Sequence, residues 1–413
     1  MFASGLVCTN CGASYPLGPM FSGCESCVVA GIRGALEVVY DHESQRRYLE
    51  AQGWSSSLNK GRMWRFAAFL PVADMSQVVS LGEGSTPLLH VSPDSRNQLR
   101  SLYVKNEAAN PTWAFKDRFH SVSLSMARQL GYQKVVASST GNHGVSLAAY
   151  AAAAGMRAVV FLDTKGETAQ RHAMQFLGAE VVVLPDRRAS LVEFVLNHDW
   201  YPSTYMTPMP VATPFGVEGY KTLAYEVILD LGDAPDHFVF PVAAGDGFYG
   251  PWKGFKEFAD MNLASSRPRM HAVQPVGANW LVQSVREGLA YSKVHPDPKS
   301  IALSIADPTG GAICIKTISE SGGTATEVSD AQIIEAARYL ATRGFLVEPA
   351  SAATLAAAWT LCREGTIDPD SRVVCVLTGA LVKWPNTMAG MLGDKGTPRE
   401  LSGSEVRRLA AQI

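Results

Sequence analysis

The sequence has 413 residues, of which 47% are hydrophobic and 18% charged, and its formal net charge is −2. A chain of this length predicts two domains, or two and a small appendage, because a single hydrophobic core rarely grows so large. The near balance of 38 acidic and 36 basic residues argues against nucleic acid as a partner. Since the sequence shows neither a signal-peptide pattern nor an uninterrupted apolar span, we expect a cytoplasmic protein without a membrane partner.

The first predicted element is a pair of cysteine knuckles. Cys8 and Cys11 form one C-x-x-C motif, and Cys24 and Cys27 form a second one twelve residues later. Four thiolates with this spacing can close a tetrahedral zinc site, which would be structural and not catalytic. The alternative is a metal-free remnant with four ordinary thiols. Residues 35–41 are then typical of a strand that leads out of the knuckles.

Beyond the knuckles, short apolar runs alternate with amphipathic stretches. Buried strands are predicted at residues 134–137, 158–162, 180–184, 237–242, 269–273 and 372–377. Helices are predicted between the runs, for example at residues 115–130 and 145–154. This alternation indicates an α/β fold with two open, twisted, mostly parallel sheets that carry helices on both faces. Ligands bind at the carboxyl ends of the strands in such folds, so the loops after the strands are the candidate sites.

The segment NPTWAFKDR contains the first candidate residue. Asn110 is predicted to cap a helix that has Pro111 in its first turn. Lys116 would lie one turn in, among apolar side chains that destabilise an ammonium ion and prepare the amine as a base or Schiff-base nucleophile. The alternative is a solvated lysine that pairs with Asp117 or another neighbour.

The segment SSTGNHGVS, residues 138–146, joins a predicted strand to a predicted helix. Its backbone N–H groups can hold an anion, and the Asn142 amide can donate to a ring oxygen or to a carboxylate. In the alternative interpretation, Gly141 and Asn142 form a simple turn in which the asparagine caps the next helix.

The segment PVAAGDGFYGPWKGF contains G-x-G-x-x-G between Gly245 and Gly250. A glycine-rich turn between a strand and a helix suits a phosphate, because backbone N–H groups converge at the helix N-terminus. A nicotinamide dinucleotide would also require an acidic residue at the end of the next strand, where this chain has Gln274. The motif therefore predicts a phosphate site and argues against a dehydrogenase.

The last candidate is Thr378, which ends the predicted strand at residues 372–377. A hydroxyl at this place can hydrogen-bond a ring nitrogen without protonating it. The alternative role is a helix N-cap, which is common for threonine.

Taken in order, these segments resemble the landmarks of the threonine synthase-like pyridoxal phosphate enzymes, relatives of the tryptophan synthase β chain and of serine and threonine dehydratases. The matching segments are SLGEGSTPLL, NPTWAFKDR, SSTGNHGVSLAAYAA, VEGYKTLAYEV, PVAAGDGFYGPWKGFKE, GFLVEPASAA and LTGALVK. The resemblance implies the tryptophan synthase β-like fold, known as fold type II of the pyridoxal phosphate enzymes, with a small N-terminal zinc knuckle. It also implies a homodimer that acts on a small amino acid.

The resemblance assigns roles to individual residues. Lys116 would form the Schiff base with the cofactor and remove the substrate α-proton, while Asn142 and Thr378 would meet the cofactor's phenolic oxygen and ring nitrogen. The phosphate would lie in the turn formed by Ala244, Gly245, Asp246, Gly247, Phe248 and Tyr249. The residues expected to face the substrate are Thr86, Ser139, Thr140 and His143. The implied chemistry is α-proton abstraction followed by β or γ elimination or replacement, with the cofactor as electron sink.

Some positions depart from the family pattern. Trp113 and Ala114 stand where N-P-T-G-S-F-K-D-R has glycine and serine. Thr213 and Gly216 replace the asparagine and arginine of S-V-N-P-Y-R, which removes contacts to a substrate phosphate that are worth roughly 1.5 to 3 kcal/mol each. Arg187 and its neighbour Arg188 can supply the missing charge, although a solvated surface pair is the favoured interpretation.

The expected activity is that of a threonine synthase, which converts O-phosphohomoserine into threonine and phosphate. The main alternative is an ammonia-lyase for threonine, serine or diaminopropionate, or a β-replacement enzyme of the cysteate synthase kind. In that case His143, which follows Asn142 where the family commonly has threonine, would protonate a poor leaving group. A binding protein with a dead catalytic domain is disfavoured because Lys116, Asn142 and Thr378 occur together.

The expected domain division places the knuckle at residues 1–41 and the large cofactor-binding domain at residues 42–125 and 222–395. A small mobile domain is expected at residues 126–221, followed by a C-terminal tail at residues 396–413.

Overall fold

The computed structural model describes residues 2–29, 34–53, 61–139, 141–162, 166–184, 187–204, 213–393, 402–403 and 405. The strands are β1 Ala3–Cys8, β2 Ser14–Tyr15, β3 Leu36–Tyr40, β4 Leu88–Val91, β5 Ser101–Asn106, β6 Lys134–Ser138, β7 Arg157–Leu162, β8 Glu180–Val183, β9 Tyr201–Pro202, β10 His237–Pro241, β11 Arg269–Pro275, β12 Thr324–Val328 and β13 Arg372–Leu377. The α-helices are α1 Glu25–Val29, α2 His42–Gln52, α3 Lys116–Gln129, α4 Asn142–Ala154, α5 Thr168–Phe176, α6 Arg187–Asn197, α7 Pro214–Leu231, α8 Asp246–Asp260, α9 Trp280–Arg286, α10 Ile313–Ser321, α11 Asp330–Ala341, α12 Pro349–Arg363 and α13 Pro385–Leu392. Short 3₁₀ helices lie at Met63–Phe69, Met75–Gln77, Glu107–Ala109, Val276–Ala278, Leu303–Ile305 and Leu381–Lys383.

The larger sheet has six strands in the order β12-β11-β10-β13-β5-β4. All neighbours are parallel except β4 and β5, which are antiparallel. Successive side chains of β10 enter different cores: Phe238 and Phe240 pack with residues of α7, α8 and α10, whereas Val239 packs with residues of α11 and α12. The sheet is therefore buried on both faces, which explains why its central strands are continuous apolar runs.

The smaller sheet has four parallel strands in the order β8-β7-β6-β9. One face packs against α4 and α5, with Val160 beside Leu147 and Met174. The other face packs against α6, with Val159 beside Leu191. The predicted architecture of two mostly parallel sheets with helices on both faces is confirmed, and all six predicted strands are present with ends that differ by at most two residues.

The N-terminal segment forms a third sheet, which is antiparallel and has the order β2-β1-β3. It is bonded directly to helices of the larger unit. The hydroxyl of Tyr40 donates to Glu218 at 2.8 Å, and the ammonium of Lys253 donates to the carbonyl of Val38. The cysteine knuckles are thus part of the main body and do not stand apart from it.

The predicted cap of the lysine helix is wrong. The helix α3 begins at Lys116, and Asn110 instead ends a 3₁₀ turn and accepts a hydrogen bond from the Gly84 N–H at 3.0 Å.

None of the helices in the described part of the chain is long and apolar enough to cross a membrane.

Candidate active site

The segment before Lys116 is held by residues from the far end of the chain. The N–H of Phe115 donates to the carbonyl of Thr378 at 2.9 Å, and the N–H of Ala380 donates to the carbonyl of Trp113 at 3.0 Å. Trp113 has a φ of 59°, a left-handed conformation that is uncommon for a bulky residue. These bonds place the first residue of α3 beside the carboxyl end of β13.

The ammonium of Lys116 donates a hydrogen bond to the hydroxyl of Tyr220 at 3.1 Å. Burial raises the pKa of Tyr220 well above its ordinary value, so this partner is an uncharged hydroxyl. The neighbouring Asp117 takes its hydrogen bonds from Thr112 and Ser146. The alternative of a surface lysine paired with Asp117 therefore does not describe this structure.

A cleft lies at the carboxyl ends of β6, β10 and β13, as expected for an open α/β fold. Its empty volume, including the part that opens to solvent, is about 990 Å³. The cleft is lined by most of the predicted cofactor and substrate residues, namely Lys116, Ser139, Asn142, His143, Ala244, Gly245, Asp246, Gly247, Phe248 and Thr378. Thr140 falls outside the described residues.

The glycine-rich turn connects β10 to α8 at one end of the cleft. Gly245 has a φ of 108°, and a Cβ there would lie 1.9 Å from the sulfur of Cys314. A Cβ on Gly247 would lie 2.7 Å from the ring of Phe115. Packing behind the turn therefore requires both glycines, and the N-terminus of α8 is held against the cleft. Asp246 is the first residue of this helix, where the helix dipole favours a carboxylate.

Glu348 joins Asn142 and Thr378, the side chains that were predicted to meet the phenolic oxygen and the ring nitrogen of the cofactor. One carboxylate oxygen accepts hydrogen bonds from the Asn142 amide at 2.7 Å and the Trp384 indole at 2.9 Å, and the other accepts from the Thr378 hydroxyl at 2.9 Å. The carbonyl oxygen of the Asn142 amide is buried without a partner among the described residues. Because a carboxylate only accepts, Glu348 fixes the orientation of the Asn142 NH₂ group.

Sequence reasoning assigned no role to Glu348, although it lies in the family-like segment GFLVEPASAA. A glutamate before Pro349, at the start of α12, is by itself ordinary, because the helix dipole favours a negative charge near the N-terminus. The only sequence signal was its place in a landmark, because its partner Asn142 lies 206 residues away along the chain.

His143 packs beside His120, with 4.3 Å between the ring centres, and its Nε2 lies 2.6 Å from the carbonyl oxygen of Ser203. The carbonyl can only accept, so Nε2 carries the proton. Burial, and then the charge of Lys116, lower the pKa of His143 to about 4. The ring is therefore neutral at pH 7, which does not favour the role of leaving-group acid that the alternative activity would give it.

The remaining predicted site residues have other positions. The hydroxyl of Ser139 lines the cleft and accepts the N–H groups of Gly141 and Gly144, at 3.1 and 2.9 Å. Thr86 lies outside the lining, where its hydroxyl donates to Glu107 at 2.6 Å within a buried network around Arg118.

Tyr249 also lies outside the lining. Its hydroxyl donates to Glu37 of β3, so the side chain points to the N-terminal sheet and away from the cleft. The phosphate turn that lines the cleft thus comprises residues 244–248.

Arg187 lines the cleft, contrary to the favoured interpretation of a solvated surface residue. It is the first residue of α6, and its guanidinium donates to the Ser138 hydroxyl at 2.6 Å. The sequence carried only a weak signal for this position, since an arginine after a strand and before a helix is usually solvated.

The four cysteines of the knuckles form one cluster. The sulfur atoms of Cys8 and Cys27 are 3.7 Å apart, those of Cys11 and Cys24 are 3.6 Å apart, and all four lie within 4.8 Å of one another. These separations are too long for disulfides. Gly34 packs against the cluster, because a Cβ there would lie 2.5 Å from the sulfur of Cys8. The arrangement can hold a metal ion.

The chain is similar to a known protein family and to known threonine synthases. The family described as "Pyridoxal-phosphate dependent enzyme" matches residues 79–379. The threonine synthase of Methanocaldococcus jannaschii is 35% identical over 388 residues, which cover 92% of this chain and 93% of that protein. The threonine synthase of Methanosarcina acetivorans is 33% identical, covering 93% of both.

Solved structures show the same fold at low sequence identity. The processed form of threonine deaminase isoform 2 from Solanum lycopersicum has a TM-score of 0.65 and 19% identity, covering 80% of this chain and 92% of that chain. An O-ureido-L-serine synthase has a TM-score of 0.60 and 19% identity, covering 78% of this chain and 96% of that one.

Proposed function

The chain belongs to the pyridoxal-phosphate dependent enzymes, as a threonine synthase-like lyase of fold type II, and from this premise we propose that it converts O-phosphohomoserine into threonine and phosphate. The observation that carries the proposal is the convergence of Lys116, Asn142, the turn at residues 244–248 and Thr378 on one cleft. The 33 to 35% identity with two threonine synthases over nearly the whole chain favours this activity over an ammonia-lyase.

The cleft fits pyridoxal phosphate. The Lys116 amine would hold its aldehyde carbon and the N-terminus of α8 its phosphate. The Thr378 hydroxyl, whose proton is donated to Glu348 in this structure, would face its ring nitrogen. The buried carbonyl oxygen of the Asn142 amide has no partner among the described residues, which supports a polar ligand at this place, because buried polar groups in native proteins are normally satisfied. When bound, the cofactor supplies an electron sink for the charge that develops at the substrate α-carbon.

Residues of the chain take the α-proton and bind the substrate. The Lys116 amine, held 3.1 Å from the Tyr220 hydroxyl, is the base that takes the α-proton. The N–H groups at the start of α4, beside Ser139, bind the substrate carboxylate. The ring of His143 is neutral and carries no proton at Nδ1. It can therefore accept a hydrogen bond there, but it does not protonate the leaving group.

The experiment incubates the cofactor-loaded protein with O-phosphohomoserine and measures phosphate and threonine. Equal release of both products, lost in the Lys116→Ala variant, supports the proposal. Parallel incubations contain threonine, serine or diaminopropionate. Formation of keto acid and ammonia there, without threonine from O-phosphohomoserine, would instead establish the lyase alternative.

We also propose that the cysteine cluster binds one zinc ion. A tetrahedron with zinc–sulfur bonds of about 2.3 Å has sulfur atoms about 3.8 Å apart, close to the 3.7 and 3.6 Å of the two nearest pairs. Metal analysis should find about one zinc per chain, and the Cys8→Ser variant should lose it. A wild-type protein that is purified without chelators and contains no zinc would contradict the proposal.

The domain division at residues 41, 125, 221 and 395, the homodimer and the cytoplasmic location stay predictions from the sequence. Light scattering of the purified protein tests the dimer, and limited proteolysis tests the domain boundaries.

A further inference from the structure

We propose that Tyr249 is a positioning residue for the cofactor phosphate, and that its bond to Glu37 makes cofactor affinity depend on the metal at the four cysteines. The inference rests on the proposed function, which places the phosphate at the N-terminus of α8. It goes beyond that function because it joins the zinc site to the active site. A chain that lacks the metal then holds its cofactor less tightly, so zinc supply sets the fraction of loaded enzyme.

Tyr249 lies in the first turn of α8 and points away from the cleft. Its N–H donates to the carbonyl of Gly245 at 3.0 Å, and its hydroxyl donates to Glu37 of β3. The first N–H groups of a helix have no intrahelical acceptor and can bind a phosphate. The bond to Glu37 therefore holds the turn that carries these groups from the side away from the cleft.

Glu37 links Tyr249 to the cysteines through one strand pair. It is the neighbour of Leu36, which lies opposite Cys8 in the antiparallel pair of β1 and β3. Gly34, two residues before Leu36, packs against the cluster, because a Cβ there would lie 2.5 Å from the Cys8 sulfur. The position of the cysteines therefore sets the position of the strand that accepts from Tyr249.

A second contact joins the knuckles to the packing behind the phosphate turn. The ammonium of Lys316 in α10 donates to the carbonyl of Thr9, the residue after Cys8, at 2.7 Å. The same helix carries Cys314, whose sulfur would lie 1.9 Å from a Cβ on Gly245. The two helices that shape the turn, α8 and α10, are thus both bonded to the N-terminal segment.

The coupling has a direction and a size. Without the metal, the four cysteines lose their common centre, and the strand that holds Glu37 is restrained less. Coupling between two binding sites typically changes an affinity by about 5- to 150-fold. We expect the lower part of this range, because β3 keeps its pairing with β1 and the Lys253 ammonium still donates to the carbonyl of Val38.

Tyr249→Phe tests the positioning role, because it removes the hydroxyl and keeps the ring. The measurements on the full-length, zinc-loaded protein are the Kd for pyridoxal phosphate and the Kd for pyridoxal, which lacks the phosphate, both followed by visible absorbance. The change does not strand Glu37, which is 25% exposed and lies 3.8 Å from the Lys253 ammonium. The control is Tyr225→Phe, which removes another buried bond to α8, that to Glu257; neither residue lines the cleft.

We expect Tyr249→Phe to raise the Kd for pyridoxal phosphate by about 5- to 20-fold and to leave the Kd for pyridoxal within about twofold of wild type. Glu37→Gln keeps an acceptor oxygen and should recover most of the affinity, whereas Glu37→Ala should match Tyr249→Phe. Tyr225→Phe should bind both compounds like wild type. An unchanged Kd for pyridoxal phosphate in Tyr249→Phe, or an equal loss for pyridoxal, would overturn the positioning role.

Zinc removal with a chelator and a thiol-free reductant tests the coupling. The Kd of wild type for pyridoxal phosphate should rise by about 5- to 20-fold, but that of Tyr249→Phe by only about twofold, through the contacts of Lys253 and Lys316. Because coupling is reciprocal, pyridoxal phosphate should tighten zinc binding to wild type by the same factor. An unchanged Kd after zinc removal, an equal rise in both proteins, or a wild type that binds no zinc refutes the coupling.

These measurements need no turnover, so they separate the inference from the proposed function. A wild type that binds pyridoxal phosphate but makes no threonine refutes the proposed function and leaves every outcome above decisive. A wild type that makes threonine but binds the cofactor equally with and without zinc refutes only the coupling. A wild type that does not bind pyridoxal phosphate refutes both.

Discussion

Replacing Glu348 with glutamine removes one charge from the wall of the cleft and changes almost no volume. The side chain is 1% exposed and accepts hydrogen bonds from Asn142, Trp384 and Thr378. A hydrogen bond to a charged group contributes roughly 1.5 to 3 kcal/mol, and one between neutral groups roughly 0.5 to 1.5 kcal/mol. Each of the three bonds should therefore weaken by about 1 kcal/mol.

The glutamine can keep three hydrogen bonds, which limits the loss of free energy. Its carbonyl oxygen can accept from both Asn142 and Trp384, while its NH₂ group can donate to the hydroxyl of Thr378, so no buried donor is stranded. We expect a total loss of about 2 to 3 kcal/mol for Glu348→Gln. The Glu348→Ala variant strands three donors and should lose about 3 to 5 kcal/mol or more.

Part of this loss should appear in cofactor binding, because Asn142 and Thr378 are the predicted contacts of the cofactor ring. We expect the Kd for pyridoxal phosphate to rise at least tenfold in Glu348→Gln, which corresponds to about 1.4 kcal/mol. The assay titrates cofactor-free protein with pyridoxal phosphate and follows the quenching of tryptophan fluorescence. Trp384, which bonds to Glu348, lies in the cleft as a natural reporter.

The control for this experiment is Glu320→Gln in α10. Glu320 also accepts from an indole, that of Trp252, at 2.9 Å, but it does not line the cleft. If Glu348→Gln and Glu320→Gln both bind the cofactor like wild type, the view that Glu348 orients Asn142 and Thr378 is refuted.

Three further substitutions test other parts of the structure. Gly216→Ala should lower the stability by about 1 to 3 kcal/mol in thermal unfolding, because its Cβ overlaps the Phe119 ring, and Phe119→Ala in the same chain should remove most of that extra cost. Gly34→Ala should lower the zinc content found by metal analysis, because its Cβ would lie 2.5 Å from the Cys8 sulfur; full zinc occupancy would contradict this packing. Burial lowers the pKa of His271 from 6.5 to about 3, so the folded protein keeps this ring neutral at a pH where the unfolded chain binds a proton. The free energy of unfolding should therefore fall as the pH drops from 6.5 toward 3, by up to about 5 kcal/mol in total. His271→Asn should flatten the fall in unfolding midpoint between pH 7 and 4, and an unchanged slope would refute this assignment.

Most of the strands that the sequence predicted are central and buried, such as β6, β10 and β13, although the edge strand β8 was also predicted. In the two larger sheets the sequence did not predict β9, which has only two residues, or β4, β5 and β12, whose patterns are broken by polar or exposed positions. β5 contains Lys105, which is fully buried but pairs with Glu226 at 3.0 Å. Such a residue is favourable only when a distant partner is present, and local pattern does not reveal that partner. β4 is an edge strand with two exposed residues among its four.

The residues of the candidate site also differ in how far the local sequence reveals them. Lys116, Asn142 and Thr378 lie in segments that are specific as an ordered set, although each segment alone has a second interpretation, and the structure brings the three residues to one cleft. Glu348 and Arg187 were missed, because a buried glutamate and an arginine at a helix start have ordinary local explanations. Their place in the cleft follows from contacts across 206 and 49 residues of chain.

The bonds between the N-terminal sheet and the helices α7 and α8 have a consequence for the order of events during synthesis. Tyr40 bonds to a residue 178 positions later, and the Lys253 ammonium reaches back 215 positions to Val38. The four thiols therefore leave the ribosome well before the helices to which their sheet bonds, which are made about half a chain later. At a synthesis rate of about 5 to 20 residues per second, that interval lasts roughly 10 to 40 seconds. A metal ion bound early would hold the small sheet together through this wait and protect its cysteines from oxidation before docking.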